Sequence, residues 1–384
     1  MNPYDWQSHN PSIQIPRGEV AEATDLLLAG GSAVVLGGRG MGKSVFLRQV
    51  MAELKRQPDT VVLLLETPPA TLSVEACLED LARALEAPPS SHRSLHIFES
   101  YFARDDTPDR LVLLFDEFDR YAEKGGPSNQ PPGRGFFNDL EASRRSLSGL
   151  GILAAGSIGV FILRDVLGSS FLSRALYQYL EPFNREAIEV LQAPFEDAGR
   201  ALSPDIVDAL VLSSGGIPSL LTYGLQQLWQ SEKEAQSRDV AAIYQGFEEG
   251  FKEYLRDLRS ALVDPRLSDA PLRVWEHIQE HAGHIPRRDL ETRLGDPSGA
   301  LRLNLTDALD LLRVSGVVRI EGSTLRDDPI RAWPTAGLLN LPGRSASDLE
   351  RPEHFLRDPA DWPLPSDKRL APPSATPTTV LRES

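Results

Sequence analysis

Short runs of uninterrupted apolar residues recur along the first half of the chain: Ala33–Leu36, Val61–Leu65, Leu111–Phe115 and Gly151–Ala155. They do not alternate with polar residues, so they suit strands buried on both faces, as in a parallel sheet. Between them the apolar positions fall at helical spacing, over Ser44–Arg56, Val74–Leu85 and Phe136–Leu147. Alternating strands and helices predict an α/β core, a parallel sheet sandwiched by helices, over residues 12–185. Lys124–Gly135, "KGGPSNQPPGRG", is a Pro/Gly loop within it.

Residues 186–265 are expected to form a helical domain, broken at Ser213–Pro218, "SSGGIP". Residues 266–335 give helix, helix, helix and two short strands, "VVRI" and "STLR", the order of a winged helix. Residues 1–11 are an N-terminal extension. Residues 336–384 are rich in proline and poor in apolar positions, and are expected to be a disordered tail.

Composition narrows the class. Lys plus Arg number 40 and Asp plus Glu 55, a formal charge of −15, which does not support nucleic-acid binding by the whole surface. The single cysteine, Cys77, excludes an intramolecular disulfide and fits a reducing cytoplasm. No basic segment followed by an apolar one opens the chain, so no signal peptide is expected. The most apolar stretch, Gly149–Leu163, is too short to cross a membrane as a helix.

Gly37-Gly38-Arg39-Gly40-Met41-Gly42-Lys43-Ser44 fits G-x-x-x-x-G-K-[ST] without a mismatch. Glycines let such a loop wrap, so that backbone N–H groups point at phosphate oxygens. Lys43 is placed to reach the β- and γ-phosphates and Ser44 Oγ to hold Mg²⁺, while Val45 opens a helix that presents its N-terminus to the anion. "LVLLFDEFD" ends an apolar strand in Asp116, a candidate for the Mg²⁺ shell, and Glu117, a candidate to polarise the attacking water. A further strand, "GILAAGS", ends at Ser157, which is placed to bond the γ-phosphate or that water.

In this order the Gly-Lys-Ser loop, "LLFDEFD", "LAAGS" and "GGIP" resemble the AAA+-related STAND ATPases, the archaeal-ATPase branch most of all and origin-recognition ATPases more distantly. The resemblance spans residues 12–335. It implies a P-loop ASCE sheet followed by a helical lid and a winged helix, with ATP and Mg²⁺ as cofactors. It implies a switch in which ATP- and ADP-bound states differ in domain packing, with self-association or a protein partner. Gly216 and Pro218 match a Gly-x-Pro turn that lies near the nucleotide. "IPRGEV" places Arg17 where the family carries an arginine box, although the usual Gly-Arg order is missing.

Two departures bear on activity. Many AAA+ proteins have Asn where Ser157 stands, and no lid arginine is evident, so turnover is expected to be slow or partner-stimulated. Arg174, in "SSFLSRALY", lies where the family often has an arginine after the third strand, either as a finger into a neighbouring subunit or as a γ-phosphate sensor in cis.

"HIQEH", His277–His281, has a zinc-peptidase spacing. It reads instead as the outer face of a helix whose other face is Leu272, Trp275 and Ile278. Between Ala270 and Arg331 there are nine Arg, no Lys and ten acidic residues, a weak footprint for DNA. An ATP-dependent DNA-loading factor and a nucleotide-stabilised scaffold remain the alternatives to a switch.

Overall fold

The computed structural model describes residues 2–4, 13–66, 74–87, 94–119, 133–161, 163–164, 170–183, 185–231, 236–245, 271, 273–275, 277, 284–294, 305–314, 318–321 and 324–327. Its core runs α1 (Glu19–Leu28), β1 (Ser32–Leu36), α2 (Lys43–Leu54), β2 (Thr60–Leu65), α3 (Val74–Ala84), α4 (Ser94–Phe102) and β3 (Arg110–Phe115). It continues through α5 (Gly133–Ser146), β4 (Leu150–Gly156), the single turn α6 (Gly159–Phe161) and β5 (Leu176–Tyr179). The sheet has five strands in the order β2-β3-β4-β1-β5, all paired in parallel.

The apolar runs split by strand alternation into two cores. Val34, Leu36, Leu111, Leu113, Ile152 and Ala154 face one side, with Ile97, Phe98 and Phe137 from the helices there. Ala33, Val35, Val112, Leu114, Leu153 and Ala155 face the other, with Leu27 of α1 and Phe46, Leu47 and Val50 of α2. Two apolar faces per strand explain why these runs show no alternation.

β2 departs from the expectation of burial on both faces. It is an edge strand, and all of its residues are only partly buried. β5 had no apolar signature because its four residues, "LYQY", mix aromatic and polar groups on the opposite edge. The Pro/Gly loop expected at Lys124–Gly135 stops earlier, since α5 already begins at Gly133, and its residues 124–132 lie outside the described residues.

The chain continues into α7 (Arg185–Asp197), α8 (Pro204–Ser214), α9 (Pro218–Gln230) and α10 (Ser237–Gln245). The "SSGGIP" break is the α8–α9 turn, with Gly215 left-handed at the end of α8 and Pro218 in the first turn of α9. Leu220, Leu221, Leu225, Val240 and Tyr244 from these helices join the same apolar cluster as α1 and α2. Tyr4, from the expected N-terminal extension, is buried there too. Its hydroxyl donates to the Leu191 carbonyl, and its ring meets Phe195 and Trp229.

Further on come β6 (His284–Pro286), α11 (Arg287–Leu294), α12 (Leu305–Val314), β7 (Val318–Glu321) and β8 (Thr324–Asp327). The strands form an antiparallel sheet, β6-β8-β7, of which β6 was not anticipated. Ala308, Leu309, Leu311 and Leu312 of α12 belong to the first core cluster. Polar pairs accompany that contact: Arg164 donates to Asp307 at 2.5 Å, and Arg313 pairs with Glu181 and lies over the Tyr179 ring. The tail at 336–384 and His281 lie outside the described residues. No helix among the described residues is long and apolar enough to cross a membrane.

Centre and edge of the sheet differ in burial, and this is testable. Leu113→Ala, in the fully buried β3, is expected to cost about 3 kcal/mol by urea unfolding. Leu63→Ala, on the half-exposed edge strand, is expected to cost less than about half of that.

Candidate functional site

Parallel pairing sends the C-terminal ends of the strands to one edge of the sheet. Leu36 ends beside Gly156 and Tyr179, and Phe115 beside Leu65 and Ala154. The segments after β1, β3, β4 and β5 therefore meet there, at the edge where open parallel sheets take ligands. β4 lies between β1 and β3, which sets the tip carrying Ser157 between the glycine loop and Asp116-Glu117.

The glycine loop is closed by main-chain bonds. The Gly37 N–H donates to Gly156 O at 3.4 Å, Met41 N–H to Gly38 O at 3.3 Å, and Phe46 N–H to Gly42 O at 2.8 Å. Gly42 sits at φ +84° as the N-cap of α2, a left-handed geometry that strains any residue with a Cβ. Lys43 curls back over the loop, and its Nζ donates to Gly37 O at 2.8 Å and Gly38 O at 3.1 Å. Ser44 and Val45 are half-buried in the first turn of α2, which carries no acidic residue to compete with an anion. Arg39 is exposed at the loop's outer turn.

Asp116 is buried where β3 ends, and its Oδ1 accepts the Glu117 N–H at 2.9 Å. Glu117 adopts φ +49°, a left-handed conformation that costs a non-glycine residue about 1 kcal/mol or more. The left-handed residue turns the chain where the strand ends. Ser157 does not stand alone at the β4 tip. Its Oγ donates to Asp119 Oδ2 at 2.5 Å, and its N–H donates to the same oxygen at 2.9 Å. Asp119 was not among the expected site residues. The only sign of it was a second aspartate, three positions after Asp116.

Arg17 is brought against the loop although its sequence signal was incomplete. Its guanidinium donates to Met41 O at 2.8 Å and to Glu181 O at 3.1 Å, and stacks over the Phe183 ring at 4.8 Å. Burial pulls its pKa below the ordinary arginine value, with nearby Glu19 opposing the shift. Gly216 reaches the same place from the turn between α8 and α9. It has φ +74°, its carbonyl accepts the Phe183 N–H at 2.7 Å, and an added Cβ would lie 2.5 Å from Phe183 O. Pro218 follows at the start of α9, and the next N–H, from Ser219, donates to Gly40 O in the loop at 3.1 Å.

A cleft opens beside Gly42, lined mainly by Ile13, Ile15, Val45, Phe183, Leu191 and Pro218, with Gln14, Arg17 and Thr222 among its polar groups. Apolar walls with few polar groups suit a planar base. The left-handed loop with its lysine and helix N-terminus suits the phosphates. A hydroxyl and a carboxylate, Ser44 and Asp116, are the oxygen donors Mg²⁺ takes from proteins that hold it together with phosphate.

Arg174 is not brought to this edge. It is exposed and lies two residues before β5, whose first residue, Leu176, pairs with Ala33 near the start of β1. That is the opposite edge of the sheet from the glycine loop, away from where an in-cis γ-phosphate contact would be made. α9, "PSLLTYGLQQLWQ", contains no arginine either.

Residues 28–161 match the AAA domain family model. No curated protein matches the chain. Among solved structures, a Walker-type ATPase of Pyrococcus abyssi is similar at 17% identity and a TM-score of 0.53, over 83% of this chain and 94% of that one. The ORC2 protein of Aeropyrum pernix, in its ADPNP-ADP complexes, is similar at 14% identity and a TM-score of 0.48, over 91% and 95%. The ORC1 protein of the same organism, in complex with DNA, is similar at 14% and 0.44, over 82% and 90%. The chain is thus similar in sequence to AAA domains over residues 28–161, and its parallel sheet with flanking helices has the α/β fold seen in that Walker-type ATPase.

Proposed function

We propose that this protein is an Mg²⁺-dependent ATP-binding and ATP-hydrolysing switch of the STAND type, whose nucleotide state sets how a helical lid and a winged helix pack on the core. The observation that carries this reading is the double clasp on the phosphate loop. Arg17 holds Met41 O from the N-terminal side, and Ser219 of α9 holds Gly40 O from the lid side. Phosphates filling the loop would draw Lys43 off Gly37 and Gly38 and change what both clasps grip.

In this reading Gly37–Val45 cradle the phosphates, and Ser44 and Asp116 hold Mg²⁺, which supplies charge neutralisation at the β- and γ-oxygens. Glu117 polarises the attacking water, and Arg17, Gly216 and Pro218 border the base. Residues 12–185 form the ATPase core, 186–265 the lid and 266–335 the winged helix, with α12 as its third helix. Arg174, on the far edge, serves a neighbouring copy's site. Reading DNA through α12 would first require its contacts with Arg164 and Glu181 to break.

Lys43→Ala is expected to weaken ATP binding by about 100-fold or more, because the ammonium that lies over the loop and would reach the β- and γ-phosphates is lost. Titration with a fluorescent ATP analogue checks this, and unchanged binding would remove the central claim. Glu117→Gln is expected to keep ATP affinity within about threefold while turnover falls about 100-fold or more, read by phosphate release.

Arg17→Ala is expected to weaken ATP binding by about tenfold. Arg17→Lys should recover little of this, since an ammonium cannot bridge two carbonyls and stack on Phe183 at once. For Arg174, specific ATPase activity is expected to rise with protein concentration, and Arg174→Ala should flatten that rise. A specific activity independent of concentration in the parent protein would exclude the role in trans.

A further inference from the structure

We infer that Asp119 is a positioning residue that makes the β4 tip a hydrogen-bond acceptor for the attacking water instead of a donor to the γ-phosphate. This rests on the ATP-hydrolysing reading above and deepens it. A serine hydroxyl has one proton to give. Ser157 gives it to Asp119 Oδ2 at 2.5 Å, and its backbone N–H goes to the same oxygen at 2.9 Å. Both donors of the residue are thereby spent on one buried carboxylate. The lone pairs of Ser157 Oγ remain, and they can accept a hydrogen bond from water but cannot bond an unprotonated phosphate oxygen.

The surroundings fix this arrangement. Asp119 is only 8% exposed, and a Cβ placed on Gly159 would come 2.7 Å from Asp119 Cβ, so the turn after β4 is moulded around the aspartate. Asp119 also lies in the same short segment as Glu117. One turn after β3 thus presents the proposed base and orients the residue on the neighbouring strand that would share its water. A bond to a charged acceptor is stronger than one between neutral groups, which favours keeping the proton on that side.

The test compares the parent protein with Ser157→Ala, Asp119→Ala and Asp119→Asn. ATP and ADP affinities are measured by titration, hydrolysis in a single turnover, and folding by thermal unfolding without nucleotide. Ser157→Ala is expected to slow hydrolysis about tenfold or more and leave the ratio of ATP to ADP affinity unchanged. Asp119→Ala should slow hydrolysis similarly and raise that ratio about threefold or more, because the released hydroxyl can then donate to the γ-phosphate. A residue that only supports the fold would not sharpen preference for ATP while slowing turnover.

Asp119→Asn, whose amide oxygen can accept both bonds, should hydrolyse within a few-fold of the parent, and it carries the test if the alanine variant fails to fold. The inference is overturned if Ser157→Ala lowers the ATP-to-ADP ratio, if Asp119→Ala lowers it or leaves hydrolysis intact, or if Asp119→Asn is as slow as the alanine variant. Absence of ATP binding or turnover in the parent protein is a different result. It removes the proposed function and takes this inference with it.

Discussion

The Arg17 guanidinium, bonded to Met41 O and Glu181 O, is the contact on which the site's geometry turns. A phosphate-binding loop is rich in glycine, so its own conformational preferences are weak. Buried carbonyls such as Met41 O need partners, and a planar fork of donors can satisfy two of them from separate segments. Arg17 thereby joins the N-terminal segment, the loop and the end of β5. Phe183 completes the arrangement, with its ring under Arg17 and its N–H on the Gly216 carbonyl. The turn between α8 and α9 is anchored to the loop through the same few residues.

Glu181 extends this contact outward. Its carbonyl accepts from Arg17, while its carboxylate pairs with Arg313 of α12. Arg313 also lies over Tyr179 at the end of β5, and Asp310 bonds the Tyr179 hydroxyl. Burial, reinforced by Asp310, pushes the Tyr179 phenol well above its ordinary pKa, so it stays neutral as a donor. The loop and α12 thus share the residues immediately after one edge strand. In the proposed switch this is a short physical path between nucleotide and domain packing, made of groups in direct contact.

The acidic turn after β3 follows a different logic. Phe115 and Phe118 pack edge to face in the apolar core, which pins the turn at both ends. Between them Glu117 takes up a left-handed conformation, held by the bond from its N–H to Asp116. Strain of this kind persists only where packing over-determines it. In the proposed mechanism it leaves Asp116, Glu117 and Asp119 separate tasks within a single turn.

How much of this was legible in the sequence depended on how local each signal is. The loop and its lysine, the paired acids and the inner strands follow from side-chain type at fixed spacing, because a phosphate cradle and a strand buried on both faces each require particular residues in sequence. β2 misled because an apolar run does not reveal that its strand sits at an edge, where only one neighbour covers it. Arg17, Gly216 and Pro218 had weak signals, since one arginine or one Gly-x-Pro fits many settings, and the tertiary structure gathered them around Phe183. Asp119 and Ser157 are separated by the whole of α5, and only strand order could bring them together. Arg174 shows the converse: its position after β4 fitted an arginine near phosphate, yet the direction of β5 leaves it at the far edge. The chain alone determined which chemistry is present. The parallel order of the strands decided which residues share it, because that order sets which loop ends meet at one edge of the sheet.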